Sequence, residues 1–325
     1  MSARLSPLLA HVGDQRDCIE RAMLDSVTTT DAHLTELASH LIVAGGKRLR
    51  PVLTVIAGSV DGRAVTDDVV LGGVSCELVH LGSLYHDDVM DESETRRGVE
   101  TVNARWGNLQ AILAGDFLLA RASEIAAGLG TEVAGLLART IGWLCEGQIE
   151  ELRHTYDVAR SEESYLTSIH GKTASLYGTA ARVGAIVAGL DEAEIDGLTD
   201  FGNAFGMVFQ IVDDLLDLTS TDERLGKRAG HDMEVGVYTL PVIHSLAAGS
   251  AELEGLLGGP LEGSDAERAL EIVRSGPGIE STISRARHFV SEAVRACSVL
   301  PDGPARTALE EAPAALLASA LSPTA

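Results

Sequence analysis

Two clusters of aspartate carry the strongest chemical signal in this chain of 325 residues: Asp87, Asp88 and Asp91, then Asp213, Asp214 and Asp217. At about 100° of turn per residue, each Asp-Asp-x-x-Asp trio falls within one arc of a helix. Like charges this close repel, and acids near a helix C-terminus oppose its dipole, so each trio costs stability until something positive binds. Oxygen donors without His or Cys at ligand spacing select a hard cation. Mg²⁺ fits: it takes one or two carboxylates, keeps waters and completes its shell with substrate phosphates. Gln210 shares the arc of the second trio, and Phe201, Phe205 and Phe209 form an apolar ridge on the same stretch. That acidic face therefore belongs to a largely buried helix and needs compensation. Two such clusters imply facing carboxylates with metal between them.

Basic residues are scarce, 25 Lys and Arg against 48 Asp and Glu, for a formal net charge of −23. They gather close in sequence to the acids: Lys47, Arg48 and Arg50 in Gly45-Gly46-Lys47-Arg48-Leu49-Arg50-Pro51, then Arg96-Arg97, Lys172-Thr173 and Lys227-Arg228. Arg grips phosphate oxygens through two parallel hydrogen bonds and Lys acts as a point charge, so the set suits a ligand with several phosphate oxygens. Gly-Gly-Lys lacks the spacing of a Walker loop. The acidic balance repels polyanions, so nucleic acid is not an expected partner.

The elements that must position these residues read as helices. Aromatic residues make up 4% of the chain and no strand signal appears. No proline interrupts the stretch between Pro51 and Pro241, where each would break a helix. Periodic segments near 70–92, 110–127, 132–157, 162–188 and 192–218 are separated by Gly and polar clusters. The expectation is one all-α domain over 1–325, with shorter helices after Gly258, where most remaining prolines lie. Cys18, Cys76, Cys145 and Cys297 are scattered, with no metal or disulfide framework. No basic n-region precedes an apolar run, and no window reaches membrane-spanning length. The reading is a cytoplasmic protein, neither exported nor membrane-spanning.

With both trios in place, the sequence resembles the trans-isoprenyl diphosphate synthases, or polyprenyl synthetases, over roughly residues 40–245. The resemblance includes Gly45 to Pro51, Arg96-Arg97, Gly115-Asp116-Phe117, Lys172-Thr173 and Thr239-Leu240-Pro241. It implies an antiparallel helical barrel of the isoprenoid synthase type around a deep cavity, usually a homodimer, with three Mg²⁺ ions at its mouth. Asp87, Asp88, Asp91 and Asp213 look like metal ligands, with Asp214 and Asp217 completing the second motif. Arg96, Lys172 and Lys227 would hold an allylic diphosphate. Lys47, Arg50, His80 and Arg97 would hold isopentenyl diphosphate, with Gln210 and Thr173 beside the reacting centre. Gly82 and Ser83, where short-chain relatives resemble this segment but carry aromatic residues, imply a product above twenty carbons, suited to a quinone side chain. Ser123, further along, adds no bulky stop. Val237 departs from the pattern, since the family often has Lys there.

Four other readings compete. A geranylgeranyl diphosphate synthase would share the chemistry with a shorter product. A non-catalytic partner subunit commonly loses an acidic motif, and both are intact here. An HD-type metal phosphohydrolase is suggested by His86-Asp87 but needs further His ligands, for which His40, His154, His170 and His244 are the candidates. Terpene cyclases typically lack the second basic site that Lys47, Arg50 and Arg97 represent.

Overall fold

A computed structural model of the chain describes residues 6–13, 15–219 and 229–321. Four helices, α1 (Ser6–Val12), α2 (Gln15–Val27), α3 (Ala32–Val43) and α4 (Leu49–Gly58), lead to α5 (Asp67–Met90), which carries the first acidic trio at its end. Thr66 starts α5 by accepting from the Val69 amide, and Asp67 and Asp68 complement the dipole in its first turn. A hairpin that the sequence did not signal follows, with β1 (Thr95–Arg96) antiparallel to β2 (Val99–Glu100). Arg97 and Gly98 turn it with φ of 54° and 79°. Both central residues at positive φ match the twist of a two-residue hairpin loop, and strands this short show no alternation to read.

Then come α6 (Val102–Trp106), α7 (Asn108–Gly128), α8 (Thr131–Arg153) and α9 (Glu162–Ile169). The segment expected as one helix over 162–188 is a rod with a single π turn, His170–Ala174, between α9 and α10 (Ser175–Ala188). Helix α11 (Glu192–Thr219) bears the second trio. The C-terminal part corrects the expectation of short helices: Gly263–Ser275, Gly278–Ala296 and Pro304–Leu321 span 13, 19 and 18 residues. Pro277 caps the second of these and Pro304 opens the third, positions where a missing N–H costs nothing, so these prolines start helices instead of shortening them.

Helix α5 packs on α7, α7 on α8, α8 on the π turn and α10, and α10 back on α5, while α4 and α11 flank α10. One apolar core runs from Leu8 of α1 to Leu317 of the last helix, and a smaller one surrounds Tyr238 and Leu253. Among the described residues, no helix is long and apolar enough to cross a membrane.

Two close approaches fix the helices that carry the site. A Cβ on Gly82 would lie 3.0 Å from the Gly115 carbonyl oxygen and 3.1 Å from Leu119 Cγ, so α5 and α7 touch backbone to backbone there. A Cβ on Gly147 of α8 would lie 2.7 Å from the Ser168 carbonyl oxygen and closer still to the Lys172 amide nitrogen. Both neighbours are backbone and cannot swing aside. Gly147→Ala should therefore cost about 1–3 kcal/mol through overpacking. A melting temperature equal to that of the parent chain would show that α8 can back away from the π turn.

Candidate active site

Asp87 and Asp88 occupy the last turn of α5 and Asp91 its C-cap. Asp88 is 1% exposed, and its Oδ1 accepts from Arg96 Nε at 2.5 Å. Asn103 Nδ2 donates to the carbonyls of Asp88 and Ser93, at 3.1 and 3.0 Å, sewing the turn after the helix to α6. Asp88 thus holds the hairpin arginine in place. Burial pushes the Asp87 carboxyl up to about 6, against the pull of Lys172, with Asp91 adding to the rise. Burial raises Asp88 and Asp91 as well. The trio is short of positive charge.

Lys172 answers part of that shortage from the π turn. Its Nζ lies 2.6 Å from Glu151 Oε1 on α8, and burial, which lowers its pKa, is outweighed by Glu151, Asp87 and Asp91, so the ammonium is held charged. A π turn widens the helix by one residue and is often found at functional sites. Next to it, Thr173 Oγ1 donates to Gln210 Oε1 at 2.8 Å, and Gln210 Nε2 donates to Asp214 Oδ1 at 2.8 Å. Tyr165 donates its hydroxyl to the other oxygen, Oδ2, at 2.5 Å. Asp214 is buried with both oxygens engaged, so it fixes which way the Gln210 amide points, a duty that the sequence reading did not give it. Asp213 is exposed and Asp217 buried on the same helix. Asp232 acts electrostatically on both Asp91 and Asp214, which places the two trios in one neighbourhood.

The second basic group lies between α3, α4 and α5. Arg48, 2% exposed, makes a two-pronged bond to Glu20 at 2.8 and 3.1 Å, donates to the Ile42 carbonyl at 2.7 Å and lies 3.5 Å from buried Glu77. It is scaffold. Arg97 Nη1 donates to the Leu41 carbonyl at 3.0 Å and to that of Gly45, closing the same loop. Between them stand Lys47, its Nζ 5.8 Å from the Phe209 ring centre, and Arg50, its guanidinium 4.6 Å from that of Tyr177. Burial and the charges of Arg50, Arg97, Arg96 and Arg48 hold His80 well below the ordinary imidazole range, so it is neutral at pH 7. Lys227 lies outside the described residues.

The polyprenyl synthetase family profile matches residues 31–273. The chain belongs to this family. It is 38% identical over 296 residues to a nonaprenyl diphosphate synthase of Mycobacterium tuberculosis, covering 90% of this chain and 88% of that one. It is 34% identical over 296 residues to an octaprenyl diphosphate synthase of Escherichia coli, covering 90% and 91%. Its fold matches a polyprenyl synthase from Caulobacter crescentus complexed with calcium and isoprenyl diphosphate, with a TM-score of 0.91, 34% identity and 98% of each chain covered. This polyprenyl synthetase is thus an all-α isoprenoid synthase in fold and a prenyltransferase in activity.

The phosphohydrolase and non-catalytic readings fall with that assignment. The histidines agree: His40 contacts the Glu100 carbonyl, His154 pairs with Asp157, and His244 with Glu162, each at a different place. Gly82 faces α7 and Leu119, which gives it a packing role. Ser83 instead belongs to a half-buried stripe of His80, Ser83, Leu84 and Asp87 on a helix otherwise buried from Val69 to Gly82 apart from Leu71 and His80. Ser123, expected to add no bulky stop, is exposed. The sequence reading missed Glu151, Tyr165 and Asp232 as members of the site. In a chain with 48 acids nothing local marks Glu151. Asp232 was legible only through the family resemblance around Val237 and Thr239 to Pro241.

Proposed function

We propose that the chain condenses isopentenyl diphosphate with an allylic diphosphate, in a Mg²⁺-dependent prenyl transfer, to give a trans-polyprenyl diphosphate longer than twenty carbons. One juxtaposition carries the reading. Lys172 acts on Asp87 and Asp91, while its neighbour Thr173 is bonded to Gln210 and through it to Asp214. One π turn thereby joins both acidic trios.

The donor set fits Mg²⁺: hard oxygens, raised in pKa by burial and short of positive charge. Among the described residues no three His, Cys, Asp or Glu side chains converge as a cage, which suits a cation that draws the rest of its shell from diphosphate and water. Asp87, Asp91 and Asp213 would hold the ions, three in number by the family resemblance. Bound there, Mg²⁺ supplies positive charge opposite the departing diphosphate. Lys172 and Arg96, joined by Lys227, grip the allylic diphosphate. When its C–O bond breaks, the electron pair stays on the diphosphate oxygen and these cations stabilise it. Lys47, Arg50 and Arg97 hold isopentenyl diphosphate, and neutral His80 adds a hydrogen bond but no charge. The alkene pair forms the new C–C bond, and the proton then lost from the adjacent carbon goes to the released diphosphate. Thr173 and Gln210, locked to each other, set fixed dipoles beside the reacting carbon.

A second copy of this chain fits the outer face of α7 and α8, where Leu109, Ile112 and Leu113, then Cys145, Ile149 and Leu152, stand exposed at helical spacing. The four cysteines are free thiols, which suits a reducing cytoplasm.

Lys47→Ala and Arg97→Ala should raise KM for isopentenyl diphosphate about tenfold or more, leaving KM for the primer within about twofold. Equal rises for both substrates with a lowered melting temperature would reduce these residues to scaffold. The decisive assay incubates the purified chain with Mg²⁺, labelled isopentenyl diphosphate and allylic primers of increasing length, and sizes the dephosphorylated products. No elongation of any primer would overturn the reading.

A further inference from the structure

Arg160, in the loop between α8 and α9, is 5% exposed, yet among the described residues its guanidinium has one hydrogen bond, from Nη1 to the Tyr238 carbonyl at 3.1 Å. Nε and Nη2 are buried and meet no acceptor among the described residues. A guanidinium carries five N–H donors, and burying it with most of them idle is costly unless the charge is used. Its neighbours belong to the site. It lies 5.6 Å from the Tyr165 ring centre, whose hydroxyl is bonded to Asp214. Burial lowers its pKa, while Glu151 and Asp214 oppose that effect through their charges.

Glu151 is also the carboxylate that occupies Lys172, with a side chain 16% exposed. If Lys172 turns to a phosphate oxygen, Glu151 is left half-enclosed without its cation, and an unpaired carboxylate in that setting opposes the move. Arg160 has idle donors and lies within electrostatic reach of the same carboxylate. Resting on the prenyl-transfer reading, we propose that Arg160 is a positioning residue for the allylic diphosphate: it takes over Glu151 when Lys172 turns to the substrate, freeing the lysine's charge without stranding a buried acid.

The test uses the full chain with Mg²⁺ and steady-state kinetics on both substrates. Arg160→Leu removes a poorly partnered charge and is expected to fold. It should raise KM for the allylic diphosphate about tenfold while KM for isopentenyl diphosphate stays within about twofold, and Arg160→Lys should recover most of the loss. In a Glu151→Gln background there is no carboxylate to hand over, so Arg160→Leu should add nothing further. An unchanged allylic KM, parallel rises for both substrates with a fallen melting temperature, or full additivity with Glu151→Gln would each overturn the proposal. A parent chain that elongates no primer removes the prenyl-transfer reading itself; an active parent with an unaltered Arg160→Leu variant removes only this inference.

Discussion

Asp87→Asn and Asp213→Asn should each lower prenyl transfer at least about a hundredfold, since one key charge-stabilising group is commonly worth about 3 kcal/mol or more in the transition state. The two sit on different helices, α5 and α11: Asp87 is under the charge of Lys172, while Asp213 acts on Tyr177, the ring that Arg50 stacks on. For Asp87 the loss should come with a gain in stability. Its folded-state pKa, about 6, lies above the ordinary carboxylate value because of burial. A carboxyl raised in this direction costs stability as pH climbs from the unfolded value through the folded one, and at pH 7 the full cost stands. The amide carries no charge to bury, so the metal-free Asp87→Asn protein should melt higher than its parent at pH 7, with the difference closing below about pH 4. Activity retained in a chelator, or a melting temperature lowered along with turnover, would sink the metal-site reading of this trio.

Ser83→Phe should shorten the products toward fifteen or twenty carbons with turnover preserved. Ser83 lies about 6 Å below Asp87 along α5 and on nearly the same face. It shares the half-buried stripe with His80 and Leu84, and its hydroxyl is spent on the His80 carbonyl at 2.8 Å, so it holds no other element in place. A ring there would floor the channel and leave every acid untouched. Gly82→Ala is the control. Its new methyl group would meet the Gly115 carbonyl and Leu119, so it should lower the melting temperature by squeezing α5 against α7. A parent enzyme that stops at fifteen carbons, or a Ser83→Phe variant with an unchanged product ladder, would show that this stripe does not line the channel.

Much of this was legible in the sequence because the governing forces are local. A proline-free stretch between Pro51 and Pro241 with helical apolar spacing favours long helices, and the Asp-Asp-x-x-Asp spacing puts each trio on one arc whatever the helix packs against. The shortage of cations made each Lys and Arg near those acids informative. What tertiary structure decided are the matters that depend on a partner far along the chain. Asp214 was indistinguishable from Asp213 by spacing, and only the arrival of Tyr165 on the oxygen that Gln210 leaves open makes it an anchor. Arg48 and Arg50 stand two residues apart, yet a bond to Glu20 turns the first into scaffold while the second stays stacked on Tyr177. Gly82 and Ser83 are adjacent small residues, and only the approach of Gly115 separates a packing contact from an accessible stripe. Spacing along one helix fixes which side chains share a face; what that face meets is set by packing against residues far along the chain, and packing decides which carboxylates, guanidiniums and small residues remain available for chemistry.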